Sequence, residues 1–430
     1  MTFSRRSDDA ILQQDGNSTG IADQASHSPN RRESVSDWLV VLSAFIGLAV
    51  SVMYVYSMGL FFAPLQAEFG WQRSEIAAGM TIVSVITVIV APFVGIAVDQ
   101  FGSRVIACFG LCLHCAAIAL LATTGGSIWN WWALWGLVAI GAVLIKPTVW
   151  MTAIAGRFSA RRGLAIGLAM SGIGAGSAVM PWLTSTMIDR WGWRVAYALF
   201  GGGGVLLAMP ILLLFFRDSG QKERGAPLMR RPLNGVSRRD GLRSRVFHKM
   251  ALASFLATFS TIAVTVHFVP ILTDAGVPRE TAALLAGVIG TASIAGRLGT
   301  GYLLDRVNAT IVGAVGCFLP IVTALMLLNY TGTWIYGVVC AAVLGVAIGT
   351  EVDVLAYLSA RYFGMRNYGM LFGTLAGMLA LGSGTGAAFG GLMYDSFGSY
   401  HALLIILVPV YATTAALIAT LGEPPKIFEL

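Results

Sequence analysis

Polar and apolar positions along this chain alternate on a length scale that suits neither a half-buried strand nor an amphipathic surface helix. Runs of about twenty apolar residues recur from Trp38 onward, separated by short polar clusters. Twelve such runs begin near Trp38, Ile76, Val105, Ile128, Gly163, Trp193, Phe247, Ala282, Ala309, Thr333, Gly369 and His401. At about 1.5 Å per residue each is long enough to cross the hydrocarbon core of a bilayer as a helix. The pattern predicts an all-α integral membrane protein with twelve transmembrane helices. Four charges interrupt it: Lys146 in the fourth run, Arg297 in the eighth, and Glu351 and Asp353 in the tenth. Arg297 lies roughly 13 Å along its helix from Arg306, deeper than its side chain reaches comfortably toward the nearer interface. An ionisable residue at that depth marks a functional site by default.

Composition agrees with this reading. Of 430 residues, 56% are hydrophobic and 11% charged, with a mean hydropathy of +0.75, outside the range of soluble globular chains. The net charge of +7 would suit a nucleic-acid partner, but its placement argues against one. Outside the spans, only Arg73, Arg190, Arg194 and Arg279 fall on one side; the other basic residues share the side of the N-terminus. That asymmetry puts both termini in the cytoplasm. Trp129, Trp131, Trp132, Trp191, Trp193 and Trp334 fall at the predicted outer ends and read as an interfacial belt. The leader, residues 1–37, is polar, without the apolar core or cleavage site of a secretory signal, and reads as a disordered cytoplasmic segment. All five cysteines lie in predicted spans, and Cys112-Leu-His114-Cys115 reads as core packing because no second ligand pair accompanies it. Neither a metal nor a cofactor is expected.

One offset, 206 residues, recurs along the whole chain. Gly70 and Arg73 match Gly276 and Arg279; Gly95 and Asp99 match Gly301 and Asp305; Gly163 and Gly167 match Gly369 and Gly373; Asp189 and Gly192 match Asp395 and Gly398. The chain therefore reads as two six-helix halves of equal orientation, residues 38–216 and 250–421, with a linker at 217–249 and a cytoplasmic tail at 422–430. The basic linker is expected to lie against anionic headgroups. Parallel repeats of this kind build alternating-access transporters, with a midplane site between the halves.

The loop Gly95-Ile-Ala-Val-Asp99-Gln-Phe-Gly102-Ser-Arg104 resembles the signature between the second and third helices of the major facilitator superfamily, and Gly301 to Arg306 resembles its degenerate second copy. Within that superfamily the chain is most similar to the monocarboxylate porter branch. Three segments carry the likeness: Phe69-Gly70-Trp71 with Arg73-Ser74-Glu75; His267-x-x-Pro270 running into Asp274-x-Gly276; and Glu351-x-Asp353 followed by Tyr357 and Arg361-Tyr-Phe-Gly364. The resemblance implies small carboxylate substrates, commonly carried with a proton, and an arginine in the eighth helix that meets the carboxylate; Arg297 stands there. The chain carries Tyr56 where animal members have a lysine, and Ser293 where they have an aspartate. It also lacks the eleventh-helix lysine of the related oxalate and formate exchangers.

The candidate site follows. Arg297 offers a planar fork of donors for a carboxylate, against a structural ion pair as the plainer alternative; Tyr56 and Ser293 are candidates to line the same cavity. Lys146, Glu351 and Asp353 occupy pseudo-equivalent depths in the fourth and tenth helices. They read as a charge pair remade during transport, as a carboxylate that takes up the coupling proton, or as a permanent bridge such as Glu351 to Arg361. His267 is a candidate for a proton path or simply a hydrogen-bonded neighbour. Gly95, Asp99, Gly102 and Arg104, with Gly301, Asp305 and Arg306, form an expected cytoplasmic gate in which the aspartate engages Arg157, Arg161 or Arg162. The functional expectation is a secondary transporter of small organic anions in the inner or plasma membrane, working as a monomer, with a proton as the candidate coupling ion. An exporter of amphipathic compounds is one alternative. A membrane sensor that binds without translocating is another, disfavoured by the short segment after Leu421. No nucleophile and base set or paired catalytic carboxylates point to an enzyme.

Overall fold

The computed structural model describes residues 34–155, 157–158, 161–217, 235–304, 306–330, 332–364 and 366–422. The leader through residue 33, the linker segment 218–234, the tail from 423, Asp305 and the side chains of Asp99 and Arg162 lie outside the described residues. Eleven described helices are long and apolar enough to cross a membrane. The longest, Arg162–Phe215, would measure about 80 Å if it were straight, but Gly192 (φ 79°) breaks it into two spans, which makes twelve. They are α1 (Val35–Phe69), α2 (Arg73–Phe101), α3 (Ser103–Leu120), α4 (Ile128–Ile154), α5 (162–191), α6 (193–215), α7 (Arg245–Asp274), α8 (Arg279–Leu304), α9 (Ala309–Leu328), α10 (Trp334–Phe363), α11 (Tyr368–Phe397) and α12 (His401–Ala419).

Two boundaries differ from the hydropathy reading because capping chemistry, not apolarity, starts a helix. A capping box joins Ser34 to Asp37, whose carboxylate accepts from the Ser34 N–H at 3.0 Å, so α1 begins at Val35. Ser244 Oγ accepts from the Phe247 N–H at 3.1 Å, so α7 begins at Arg245, inside the expected linker. Just before it, Arg238–Arg243 forms a short helix, and the Val236 N–H donates to the Phe363 carbonyl at 3.0 Å, which docks the end of the linker on α10.

The helices form two halves, α1–α6 and α7–α12. The end of the bundle that carries residues 34, 217 and 422 is termed the near end and the opposite end the far end. Four repeat-matched glycines, Gly70, Gly276, Gly192 and Gly398, take positive φ at far-end turns, a conformation in which a Cβ would be strained. The repeat is thus partly a repeat of turn geometry.

The larger apolar core runs through the first half and into the second, and a smaller one lies within the second half. In the first half Trp131, Trp135 and Trp150 are fully buried. Their indoles either find partners, as Trp131 Nε1 donates to the Ile76 carbonyl at 3.1 Å, or remain unpaired, as Trp135 Nε1 does. Trp131 and Trp193 are therefore core residues and not part of an interfacial belt; Trp129, Trp191 and Trp334 are exposed at the surface as a belt requires. Trp150 packs against α1, where a Cβ on Gly47 would lie 2.2 Å from its ring. It also donates to the Ile145 carbonyl at 2.9 Å, an acceptor left free because α4 is interrupted at Ile145 and Lys146 before Pro147. Of the cysteines singled out above, Cys112 is exposed and Cys115 buried.

The halves meet through α2 with α11, α5 with α8, and α1 with α7. Small residues set the approach: a Cβ on Gly290 would lie 2.2 Å from the Ala178 backbone, one on Gly384 2.4 Å from Ser84 Oγ, and one on Gly59 2.1 Å from the Val266 carbonyl. In a bilayer, where lipid tails compete for apolar contact, such close approach supplies the packing that holds the halves together.

Candidate substrate site and gates

Arg297 and Asp353 face each other from adjacent helices. Arg297 Nη1 donates to Asp353 Oδ1 at 2.9 Å, and the two side chains retain 20% and 28% exposure. The α8–α10 contact is tight enough to hold them in register. Gly349 packs directly on α8, where its Cβ would be 2.2 Å from the Ser293 carbonyl, and Gly296 packs on the Val346 carbonyl. One turn further along α8, Thr300 shares a 2.8 Å hydroxyl contact with Thr350 of α10. A guanidinium carries five N–H donors, and among the described residues only this one contact with Asp353 engages them. A planar, permanently charged fork thus stands partly open to solvent in the middle of the bundle, balanced by one carboxylate.

Tyr56 of α1 completes this face: it lies beside Ser177 of α5 and within electrostatic reach of both Arg297 and Glu351. Ser293 is on the Arg297 stripe, but its hydroxyl donates to the Gly290 carbonyl of its own helix at 2.7 Å. Gly290 itself is filled by α5, whereas Gly301 faces open space.

The expected pairing of Lys146 with the tenth-helix acids is not made. Asp353 pairs with Arg297, and Glu351 turns the other way, accepting from Thr258 and, at 3.4 Å, from Thr261 of α7. The reason is helical geometry: residues two apart on a helix point about 200° apart, so Glu351 and Asp353 cannot share a face. The alternative bridge from Glu351 to Arg361 is likewise absent among the described residues. Lys146 sits at the α4 break with no hydrogen bond or ion pair from its ammonium among the described residues. Close by in the same half His114 is fully buried.

His267 lies away from this site. Its Nδ1 shares a 2.8 Å contact with the Tyr400 hydroxyl and its Nε2 one of 2.9 Å with the Ala387 carbonyl. Through Tyr400 it belongs to a far-end cluster centred on Arg73. That guanidinium donates to Asp274 at 3.1 Å and to Tyr400 Oη at 2.7 Å, and it lies 3.5 Å over the Tyr394 ring. Asp395 accepts from the backbone N–H of Arg73 at 3.0 Å and of Ser74 at 2.8 Å, so an acid of the second half caps a helix of the first. Across the bundle Arg279 pairs with Asp189 at 3.1 Å and donates to the Leu60 carbonyl at 2.6 Å. Both clusters bridge the two halves. In the sequence Arg73, Arg279, Asp189 and Asp395 stand out as repeat markers, and their recurrence at one offset is the signal that they act together.

At the near end, Gly102 has φ 88° and ends α2, and Arg104 donates to the Leu213 carbonyl at 2.6 Å. Arg157 pairs with Asp37 at 3.1 Å, and Arg306 lies 4.1 Å over the Tyr302 ring. Gly95 faces open space. The gate contacts expected of Asp99 and Asp305 lie outside the described residues.

Comparison with known proteins agrees with this architecture. A family model described as Major Facilitator Superfamily matches residues 44–352. A Gibberella moniliformis protein named MFS-type transporter is 25% identical over 374 residues, covering 85% of this chain and 84% of its own length. Bos taurus Monocarboxylate transporter 13 is 27% identical over 389 residues, covering 86% and 85%. Among solved structures, a bacterial homolog of the human lysosomal transporter Spinster superposes with a TM-score of 0.69 at 15% identity, covering 90% of this chain and 95% of that one.

Proposed function

The chain belongs to the Major Facilitator Superfamily, and from that premise we propose that this multi-pass transporter carries small organic anions, monocarboxylates foremost, by alternating access, with Arg297 as the anion-binding group. The observation that carries the reading is the single-point Arg297–Asp353 pair at 2.9 Å in a partly open site. A buried cation needs a counter-charge at all times. In the empty carrier Asp353 supplies it. An incoming carboxylate offers two acceptor oxygens in the plane of the fork, a better match than the one oxygen Asp353 presents, and takes over the guanidinium. A neutral ligand of equal shape has nothing to repay the exchange, so the site selects anions. The low-identity likeness to proteins named monocarboxylate transporters supports the same substrate class.

The distribution of basic residues supports a near end on the cytoplasmic side of a cell or inner membrane. With that orientation the two far-end clusters, Arg73 with Asp274 and Asp395 and Arg279 with Asp189, would hold the outer side closed in an inward-facing carrier. The protein is a transporter and not an enzyme, and its small-molecule cargo crosses without chemical change.

The test is uptake into proteoliposomes of a panel of labelled monocarboxylates, dicarboxylates and their methyl esters, with and without a pH gradient. Saturable uptake of at least one monocarboxylate, blocked by Arg297→Ala and uncompeted by its ester, is the expected result. Preference for the uncharged esters would overturn the anion reading.

A further inference from the structure

The second half contains a cavity that Glu351 lines. Its volume is about 40 Å³, room for about three waters at 10–15 Å³ each. It lies between α7, α9, α10, α11 and α12, with walls that are mostly apolar, among them Ala257, Gly316, Pro320 and Leu379. Glu351 is the acid on its lining.

Subtracting the 206-residue offset, the position of Glu351 corresponds to Ile145, which is fully buried in the first half. In the second half the isoleucine is a glutamate, which puts a carboxylate on the cavity lining.

That carboxylate has hydroxyl partners, Thr258 and Thr261, but no cation. Asp353, two residues on, takes Arg297 on the opposite face of α10. The other titratable groups within electrostatic reach of Glu351 are Tyr56 of α1, Cys317 of α9 and Tyr411 of α12. None of these can carry a positive charge. From α7 the cavity is faced by Ser254 as well as Thr261, and from α11 by Leu379. A carboxylate placed inside the bundle with no cation beside it is stabilised by taking up a proton.

We propose that Glu351 and its cavity form a proton-binding site separate from the anion site at Arg297, the two lying on opposite faces of α10. The inference rests on the transport reading only for its purpose; the site itself stands on geometry. Protonation adds one O–H bond to a carboxylate oxygen, with the proton delivered by cavity water, and leaves a neutral acid that donates to a threonine or to water. Because α10 presents Asp353 on its other face, and because Thr350 joins both the cavity lining and the contact with Thr300 of α8, a movement of α10 at one site is felt at the other.

Infrared difference spectroscopy on the purified protein during a pH titration tests this directly and needs no substrate. The neutral-carboxyl C=O band that grows as pH falls should be missing from Glu351→Gln, retained in Asp353→Asn, and restored with a shifted frequency in Glu351→Asp, each variant being checked for monodispersity. Proton uptake read by an indicator dye over the same pH step should fall by one proton per chain in Glu351→Gln. In proteoliposomes, pyruvate-linked proton influx should be lost in the same variant. A band unchanged in Glu351→Gln, or one lost in Asp353→Asn instead, overturns the assignment. If the wild-type band titrates at Glu351 but pyruvate moves no protons, the proton site stands and the failure belongs to the transport reading.

Discussion

Arg73 and Arg279 stand 206 residues apart and make the same connection, since each ties the start of its helix to the aspartate near the end of the other half's fifth helix. Arg279 does so through its guanidinium, 3.1 Å from Asp189. Arg73 does so through its backbone N–H, 3.0 Å from Asp395, which frees its guanidinium for Asp274 at 3.1 Å. A pseudo-twofold pair of clasps thus joins the halves at one end of the bundle.

The two clasps differ in expected strength. Asp189 and Arg279 are 49% and 28% exposed, and a pair that wet contributes at most about 1 kcal/mol. Asp395 is a cap with two backbone N–H partners, a role that costs about 0.5–2 kcal/mol when removed. Asp395→Ala should therefore shift the carrier toward the state open at the far end more than Asp189→Ala does, by up to about tenfold in population. The measure is the labelling rate of a single cysteine at Ser293, in a cysteine-free background, by an impermeant maleimide added outside. Equal and unchanged rates in both variants would remove the clasps from the gating cycle.

At the anion site, Arg297→Lys keeps the charge and loses the fork, so it should retain partial binding. Arg297→Ala should lose one to two orders of magnitude in affinity, the worth of a charge-assisted hydrogen bond of about 1.5–3 kcal/mol. Titration of purified, monodisperse protein with an accepted carboxylate decides the matter. Unchanged affinity in Arg297→Ala would leave the Asp353 pair as a purely structural bridge.

Gly349 should tolerate no side chain. Its Cβ would lie 2.2 Å from the Ser293 carbonyl and 2.8 Å from the Arg297 nitrogen, both backbone atoms that cannot step aside. Gly349→Ala is expected to cost about 1–3 kcal/mol, seen as a lower Tm. Gly299→Ala on the same helix pair, where nothing lies within 4 Å, should change stability by less than about 0.5 kcal/mol.

The orientation assigned from charge predicts that a single cysteine at Ser237, at the end of the linker, is labelled only from the cytoplasmic side. Labelling from outside would invert the whole assignment, gates included.

Much of this was legible in the residues alone. Apolar run length determines that the chain spans a bilayer, because a run of about twenty apolar residues can cross hydrocarbon with its backbone paired within the run only as a helix. The recurrence of Gly70 at Gly276 and of Gly192 at Gly398 disclosed two like halves, because turns that need positive φ leave a glycine behind in each copy. Arg297 was legible as a site because charge at that depth is costly.

What the sequence could not decide was pairing. Lys146, Glu351 and Asp353 had matching depths, and depth is a one-dimensional quantity read along each helix. Which groups meet depends on the rotation of each helix about its axis and on how closely its neighbours approach. The glycines at 296 and 349 let α8 and α10 touch backbone to backbone, which hands Arg297 to Asp353. The angle of about 200° between Glu351 and Asp353 then turns Glu351 toward Thr258, Thr261 and the cavity between α7, α9 and α10. Helix rotation, close approach and unfilled volume are properties of many helices at once, and only the tertiary structure carries them.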